Sequence, residues 1–569
     1  MSIKKIIKSL SKYIIIIFIF TVFQVACELL LPDIMASIVD KGIINQDKTF
    51  IIMSSLKMLG FAVLSIILTV ITMYNNSKFS ALFAFRTRKS LYEHINTLSK
   101  KDIEGIGVSS LITRCNNDVA NITNVFSMLL HFSIFAIVMG IGGAYMAYKT
   151  EPSLLYIVVI SITVLVVLLS IMFLLVMKKM DKALKLIDKL NNKTREILNG
   201  IRVIKAFNKR DYFSKRFEKV NNDNYLINKT INKIMFLMEP ITLTVVNLGS
   251  VAIIYFSIDL INKGIMNVGS MMAYIQYMAI ILSSFLLIMI IIVNIPRTFV
   301  SIKRINEVLK TKSSIKDKGK EVLKEINTIE FKHVFFKYEN SAEYTLRDIN
   351  FKIDEKDNIG IIGSSGSGKS TICSLLLRSI EPTKGEILIN GIEAKNYSLS
   401  SLRKSFSYIP QKSQLFKGTI KENLCFDNNY SIEQLDNACE NACVKDLVYS
   451  KENTYDFLIE ETSTNLSGGE KQRLSIARAL LVNSSVLLFD DSFSALDYIT
   501  DKKLRNNIKE KYENKIKITV TQRVGTIKDK SKIIVMDEGS IECIGTYEQL
   551  SKNSKVFQEF ISSQTGGII

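Results

Sequence analysis

The sequence predicts an all-α membrane domain of six spanning helices followed by an α/β domain built round a phosphate-binding loop. Three observations carry this. Long apolar runs fill the first half of the 569-residue chain and stop near Val300. From Glu321 onward, short apolar runs alternate with charged and glycine-containing stretches, the pattern of an α/β domain. The stretch Gly363-Ser364-Ser365-Gly366-Ser367-Gly368-Lys369-Ser370-Thr371 matches G-x-x-x-x-G-K-[ST]. An apolar share of 48% with a positive mean hydropathy agrees with a membrane-spanning part. The boundaries read as a six-span domain over residues 1–310, with long helical extensions on its inner side, a charged linker over 311–325, and the α/β domain over 326–569.

The first span is Tyr13 to Leu31, preceded by Lys4, Lys5, Lys8 and Lys12. No small-residue cleavage site follows it, so it is read as a span with its N-terminus inside rather than as a secretory signal. The others are Met58 to Tyr74, Val125 to Tyr148, Leu154 to Met177, Ile234 to Ile258 and Met271 to Val293, each near the ~20 residues that cross a bilayer. An even number of spans puts both ends of the chain in the cytosol. The outer connections are short and carry few basic residues, whereas the inner ones, Asn75 to Asn124 and Lys178 to Lys233, are long and rich in lysine and arginine. These inner segments lack proline and keep apolar residues at helical spacing, through Leu91, Ile95 and Leu98 and through Ile197, Ile201 and Ile204, so helices are expected to continue beyond the membrane. Each must reverse, the first near Gly105 and Gly107, the second near Asn208 to Asp211. Gln24, Glu28, Glu239, Asn247, Gln276 and Asn294 lie in or beside spans, where facing lipid is costly. They suit either a transport path or hydrogen bonds between helices, and Pro240 suits a structural kink.

A formal charge of +19 raises the question of nucleic acid, but the basic residues are spread out and many lie between spans. The positive-inside rule and attraction to anionic lipid account for them, and no nucleic-acid partner is expected. The seven cysteines form no C-x-x-C pair and have no histidine placed to complete a zinc set, so reduced thiols are expected.

In the second half, the strand-like run Thr328 to Phe336 is followed by Tyr338, whose ring could stack on a base or pack in a core. In the phosphate loop, glycines let backbone N–H groups close round an anion, Lys369 supplies charge, and the Ser370 hydroxyl is placed for Mg²⁺. The apolar run Ile359 to Ile362 precedes the loop, and a helix from Ile372 would turn its N-terminus toward the anion. These features imply a bound nucleoside triphosphate. Further on come Ile409-Pro410-Gln411, then Leu415-Phe416-Lys417-Gly418-Thr419-Ile420, and Leu466-Ser467-Gly468-Gly469-Glu470-Lys471-Gln472-Arg473 ahead of a helix through Leu481. Val486-Leu487-Leu488-Phe489-Asp490 reads as a buried strand presenting a carboxylate toward Mg²⁺, and Ser494-Ala495-Leu496-Asp497 follows.

Phosphate loop, Gln411, Leu-Ser-Gly-Gly-Glu, acidic strand and Ser-Ala-Leu-Asp in this order resemble an ATP-binding cassette (ABC) transporter. Six spans ahead of one cassette resemble its exporter type, as does Gly200-Ile201-Arg202-Val203-Ile204-Lys205-Ala206-Phe207, which is similar to the exporters' second inner loop. The resemblance implies a nucleotide-binding domain with an antiparallel β part and a helical subdomain, with ATP and Mg²⁺ as cofactors. It also implies a dimer in which two cassettes sandwich two ATP molecules. Residues 363–371 and Tyr338 would hold this chain's ATP, with Ser370, Gln411 and Asp490 at Mg²⁺. Ser467, Gly468, Gly469 and Glu470 would act on the partner's ATP, and Asp497 would serve communication across the dimer. A serine hydroxyl, open N–H groups and a helix N-terminus suit a phosphate, although a Ser N-cap with glycines has the same residues.

Two positions depart from the family pattern. Exporters usually carry glutamate after the acid matching Asp490, and this chain has Asp491; beyond Ile516 to Val520 the family has a histidine, and this chain reads Thr521-Gln522-Arg523. The histidines are His94, His131 and His333, none of them after the acidic strand. The expectation is therefore a half-transporter with a hydrolytically degenerate site at Asp491 and Gln522, paired with a non-identical second chain. It would sit in the cell membrane with its nucleotide-binding domain in the cytoplasm, exporting an amphiphilic solute of drug-like, lipid or peptide type. A slow homodimeric exporter and an ATP-sensing membrane regulator without transport are the alternatives.

Overall fold

The computed structural model describes residues 3–338 and 341–565, which form two compact units. The first holds Met1–Thr97 and Ile106–Thr311, the second Leu98–Gly105 and Lys312–Ile569.

The first unit is all helix. After a short helix, Ile3–Ser9, come α1 (Ser11–Ser37) and α2 (Lys48–Ile95), which begins on an Asp47 cap accepting the Phe50 N–H at 3.0 Å. The short α3 (Lys100–Ile106) belongs to the second unit as far as Gly105. Then follow α4 (Val108–Thr150), which contains π turns at Arg114–Asp118 and Leu129–Ser133, α5 (Leu155–Asn199), α6 (Ile201–Ala206), α7 (Arg210–Asn262) and α8 (Val268–Lys310). Among the described residues, six helices are long and apolar enough to cross a membrane, and all of them run past a bilayer's hydrocarbon thickness. The predicted spans are the apolar portions of these longer helices, in several cases at one end.

Burial on α2 shows how one helix serves two environments. Ser65, Leu68, Thr72, Phe79 and Phe83, at helical spacing, are buried, while Leu59, Ile66 and Val70 on its other faces are exposed. Such apolar exposure suits lipid, not water. The chain reverses at Gly107 (φ +86°), where α4 begins, and at Asn208 (φ +49°), between α6 and α7. Helix α7 runs through Pro240.

The polar residues of the spans separate. Gln24 Nε2 and Ser65 Oγ both donate to Glu28 Oε1 at 3.0 Å, joining α1 to α2. Glu239, Asn247 and Gln276 lie exposed on this unit, and the side chain of Asn294 lies outside the described residues.

The second unit has two main sheets. One is antiparallel, in order β2 (Leu346–Ile353), β1 (Ile329–Phe336), β4 (Lys384–Ile389), β5 (Ile392–Glu393). The other has order β12-β11-β3-β10-β9-β6, from β3 (Asn358–Gly363), β6 (Phe406–Ile409), β9 (Val486–Asp490), β10 (Ile516–Thr521), β11 (Lys532–Asp537) and β12 (Ser540–Gly545). Its strands are parallel except for β12 at the edge. Every residue of β9 and β10 is buried, as befits central strands covered on both faces. Helix α9 (Lys369–Leu376) follows the phosphate loop. A small ribbon of β7 (Gly418–Thr419) and β8 (Leu458–Ile459) accompanies the helical subdomain of α10 (Ile420–Cys425), α11 (Ile432–Asn441) and α12 (Lys445–Ser450). Leu435, Cys439 and Val448 of that subdomain share a buried cluster with Leu487 and Phe489 of β9. Helices α13 (Gly468–Leu481), α14 (Tyr498–Lys511) and α15 (Lys555–Thr565) complete the parts used below. The predicted fold class is present, including the antiparallel sheet and helical subdomain. One boundary differs: α9 starts at Lys369 rather than Ile372, because left-handed Gly368 (φ +93°) ends the loop and the next residue enters the helix directly.

Candidate nucleotide site

The parallel register sets the site. Val520 of β10 pairs with Asp490 of β9, and Thr521 with Ile362 of β3, so the phosphate loop, the acidic residue and the Gln522 loop all leave the same end of the sheet. Ligands of open α/β sheets bind at the carboxyl ends of the strands. The loop itself needs glycine: Gly366 has φ +86°, and at Gly368 a Cβ would lie 2.5 Å from Leu346 Cδ2 as well as in left-handed backbone.

Lys369 is buried, and its ammonium bonds the loop that carries it, donating to Gly363 O at 2.9 Å and Ser367 Oγ at 3.2 Å. Burial pulls its pKa below the ordinary lysine value, opposed by the carboxylates of Asp491 and Asp490. Ser370 Oγ donates to Asp490 Oδ1 at 2.9 Å, and Tyr408 OH to Asp490 Oδ2 at 3.1 Å. The carboxylate is thus oriented from both oxygens, with Ser370 and Asp490 together as a cation would require. The sequence reading missed Tyr408; its place on β6, just ahead of Gln411, was the available signal.

Asp491 leaves the strand in left-handed backbone (φ +48°), its N–H donating to Val520 O at 2.8 Å. Gln411 Nε2 donates to Asp491 Oδ2 at 3.3 Å. Burial raises the Asp491 pKa above the usual carboxylate value, Gln411 lowers it, and the neighbouring Asp490 raises it further. Tyr338 OH lies 3.4 Å from Thr371 Oγ1 at the end of the loop. The Gln522 side chain is exposed, and next to it Arg523 Nη2 donates to Ser494 O at 2.7 Å.

Ser467 and Glu470 form a capping box at the start of α13: Ser467 N–H donates to Glu470 Oε2 at 2.6 Å and Glu470 N–H to Ser467 Oγ at 3.3 Å. Burial raises the Glu470 pKa, but the bonds from Ser467 outweigh it and hold the carboxyl below its usual range. Asp497 likewise caps α14, accepting the Thr500 N–H at 2.9 Å. Ser467 and Asp497 thus have local structural work in the single chain. Gly468 does not: a Cβ there would meet nothing within 4 Å among the described residues. Helix α13 is tied to the Gln411 segment by Gln472, which accepts from Ser413 Oγ, a contact sequence reading also missed. Among the described residues there is no cluster of three or more His, Cys, Asp or Glu that could hold a metal by itself, so any Mg²⁺ at Ser370 and Asp490 would take most of its ligands from phosphate and water.

Fold and site define a multi-pass membrane protein carrying an ATP-binding domain. Residues 14–285 match the family model described as ABC transporter transmembrane region, and residues 346–494 the model described as ABC transporter. The chain is 31% identical over 551 residues to the uncharacterized ABC transporter ATP-binding protein YfiB of Bacillus subtilis, covering 95% of each. It is 31% identical over 545 residues to an uncharacterized ABC transporter ATP-binding protein of Mycobacterium bovis, covering 95% of this chain and 93% of the relative. The structure of a bacterial Atm1-family ABC exporter with ATP bound shares its fold, with a TM-score of 0.81, 20% identity and 98% of each chain covered. The chain belongs to the ABC transporter family.

Proposed function

We propose that this chain is the degenerate-site half of a heterodimeric exporter that moves an amphiphilic solute out of the cell, with its nucleotide-binding unit and both termini in the cytoplasm. ATP lies on residues 363–371 and against Tyr338, and Mg²⁺ on Ser370, Asp490 and Gln411. Ser467, Gly468, Gly469 and Glu470 meet the ATP of the second chain, and Asp497 acts across the dimer. Gly468 supports the partner role, since among the described residues nothing lies close enough to require glycine there and a closely approaching phosphate would.

The observation that carries the heterodimer is the pair Asp491 and Gln522. Asp491 is one methylene shorter than glutamate, and a displacement of about 1 Å in such a group can lower a rate ~10²-fold. Gln522 is neutral over the pH range in which a histidine titrates. Both changes fall on the γ-phosphate end of one site, so this site retains ATP while the partner's site, completed by Ser467, turns it over.

Co-purification of the chain from its native membrane, with ATPase assays of the complex and of the chain alone, tests this. The expected result is a second, non-identical ABC chain and ATPase activity that needs both. Brisk activity from this chain alone as a homodimer overturns it.

A further inference from the structure

The first three spans enclose a set of polar atoms that bond to nothing in the chain. Thr21 Oγ1 and Gln24 Oε1 on α1, Thr72 Oγ1 on α2 and His131 Nδ1 on α4 are buried without a hydrogen-bond partner among the described residues. Their residues are 0%, 4%, 0% and 8% exposed, so neither lipid nor bulk water reaches these atoms. Buried polar atoms are nearly always paired, and four orphans together call for a guest. The two threonines are unusual in another way. Thr69, Thr87, Thr123 and Thr163 each donate to the carbonyl one turn back, the ordinary outlet for a helical hydroxyl. Thr21 and Thr72 leave this outlet unused.

Hydrogen bonds between the helices set these residues at one depth. Ser65 Oγ donates to Glu28 at 3.0 Å and Arg86 Nη1 to Ser9 Oγ at 2.5 Å, so α1 and α2 run antiparallel. Thr21 and Thr72 each lie two turns from the Ser65–Glu28 bond, on the same side of it, and Gln24 lies between Thr21 and Glu28. Helices α2 and α4 are antiparallel too: Asn76 Nδ2 donates to Ser127 Oγ at 2.9 Å and Arg88 Nε to Cys115 O at 3.3 Å. One turn from the Asn76–Ser127 bond, Thr72 comes level with His131. His131 stands at the centre of the π turn Leu129–Ser133, which packs on both α1 and α2. Single π turns inside helices are frequent at functional positions.

Glu28 adds the charge. Its Oε1 accepts from Gln24 Nε2 and Ser65 Oγ, both neutral, and among the described residues it has no cationic partner. Between Lys12 and Asp33, between Lys57 and Lys78, and between Asp118 and Lys149, the sequence has no Asp, Glu, Lys, Arg or His except Glu28 and His131. A carboxylate inside a span is normally paired. Water would satisfy the orphan atoms but leave this charge unbalanced, whereas a cation does both. One carboxylate among neutral donors matches a single positive charge; divalent ions gather more carboxylates.

We infer that the first three spans hold a monovalent metal cation, Na⁺ or K⁺, on Thr21 Oγ1, Gln24 Oε1, Thr72 Oγ1 and His131 Nδ1, with Glu28 as its counter-charge. The occupied site ties three spans together within one chain. It needs neither nucleotide nor a second chain, so it stands or falls apart from the function proposed above.

The test is equilibrium binding of radiolabelled Na⁺ and Rb⁺, the latter standing for K⁺, to the full-length chain in lipid nanodiscs, with thermal unfolding in NaCl, KCl and choline chloride at one pH and ionic strength. Saturable binding is expected, with a Tm about 2 °C or more higher in Na⁺ or K⁺ than in choline. Thr72→Val is expected to weaken binding about 10-fold and Glu28→Gln about 100-fold. Thr163→Val, at a threonine bonded to its own helix, is expected to bind as wild type does. Thr72→Val also removes a buried atom that has no partner, so in choline it should be at least as stable as wild type while losing the gain from Na⁺ or K⁺. That result shows the variant to be folded, and Thr72→Val decides should Glu28→Gln fail to fold. Absence of saturable binding, a Tm that ignores the cation, equal binding by wild type and Thr72→Val, or an equal loss in Thr163→Val overturns the inference; the guest is then water, or a proton on His131.

Discussion

The side chain of Gln564 grips the loop that carries Gln522. Its Nε2 donates to Gln522 O at 2.7 Å and its Oε1 accepts the Val524 N–H at 2.8 Å, so helix α15 pairs with the loop backbone as a neighbouring strand would. Gln564→Ala is expected to free this loop at a cost of about 1 kcal/mol, typical of an intramolecular hydrogen bond. Hydrogen exchange at the Val524 amide reports it: exchange about 5-fold faster or more is expected, and an unchanged rate shows that the loop is held by other contacts.

Restoring the family residues tests the proposed chemistry at the same end of the sheet. Asp491→Glu together with Gln522→His is expected to add ATP turnover at this chain's own site, by about 10-fold or more in a complex whose other site is inactivated, because the missing methylene and the titratable ring both return. Single-turnover hydrolysis measures this. No gain removes both residues from the roles proposed for them.

Lys530 provides a pH signature. Its ammonium is enclosed, although part of the side chain reaches the surface, and donates to Asn358 Oδ1 at 2.9 Å and Thr519 Oγ1 at 2.8 Å. Burial, helped by the nearby Arg505 and Lys517 and opposed by Asp529 and Asp501, pushes its pKa down to about 7. Since an unfolded lysine titrates near ~10.4, the unfolded state binds more protons between these two values, and stability rises with pH across that window. Thermal unfolding of the protein should therefore show an increasing Tm from pH 7 toward pH 9. Lys530→Met should flatten this slope.

Within the membrane unit, Glu28 is the acceptor shared by Gln24 and Ser65. Removing one donor, Ser65→Ala, is expected to cost about 0.6 kcal/mol, the average for hydrogen bonds between membrane helices, and at most about 1.7 kcal/mol. Glu28→Ala is expected to cost more, about 1–3 kcal/mol, because two donors lose their acceptor away from water. Detergent-driven unfolding of the two single variants and the double variant measures the coupling; additive effects would mean that the Glu28–Ser65 bond contributes nothing to stability.

Much of this architecture was legible in the sequence because its physics is local. Apolar runs of bilayer length and the strand-loop-helix pattern round Lys369 each follow from a short stretch of chain. The contacts that complete the site do not. Tyr408 reaches Asp490 across 82 positions, and Gln472 meets Ser413 across 59. Each depends on tertiary placement that periodicity does not encode. The N-caps at Ser467 and Asp497 show the opposite case: the residues were recognisable, but the same hydroxyl or carboxylate serves the local helix start as well as any role toward nucleotide.

The parallel pairing of Val520 with Asp490 and of Thr521 with Ile362 has a consequence for the history of such a site. Backbone register holds Asp491 and Gln522 just beyond the carboxyl ends of neighbouring parallel strands whatever their side chains, so frame and side-chain chemistry are separable. On the proposed reading of these two residues, a lineage would lose or regain turnover at one site by two side-chain changes without disturbing the fold.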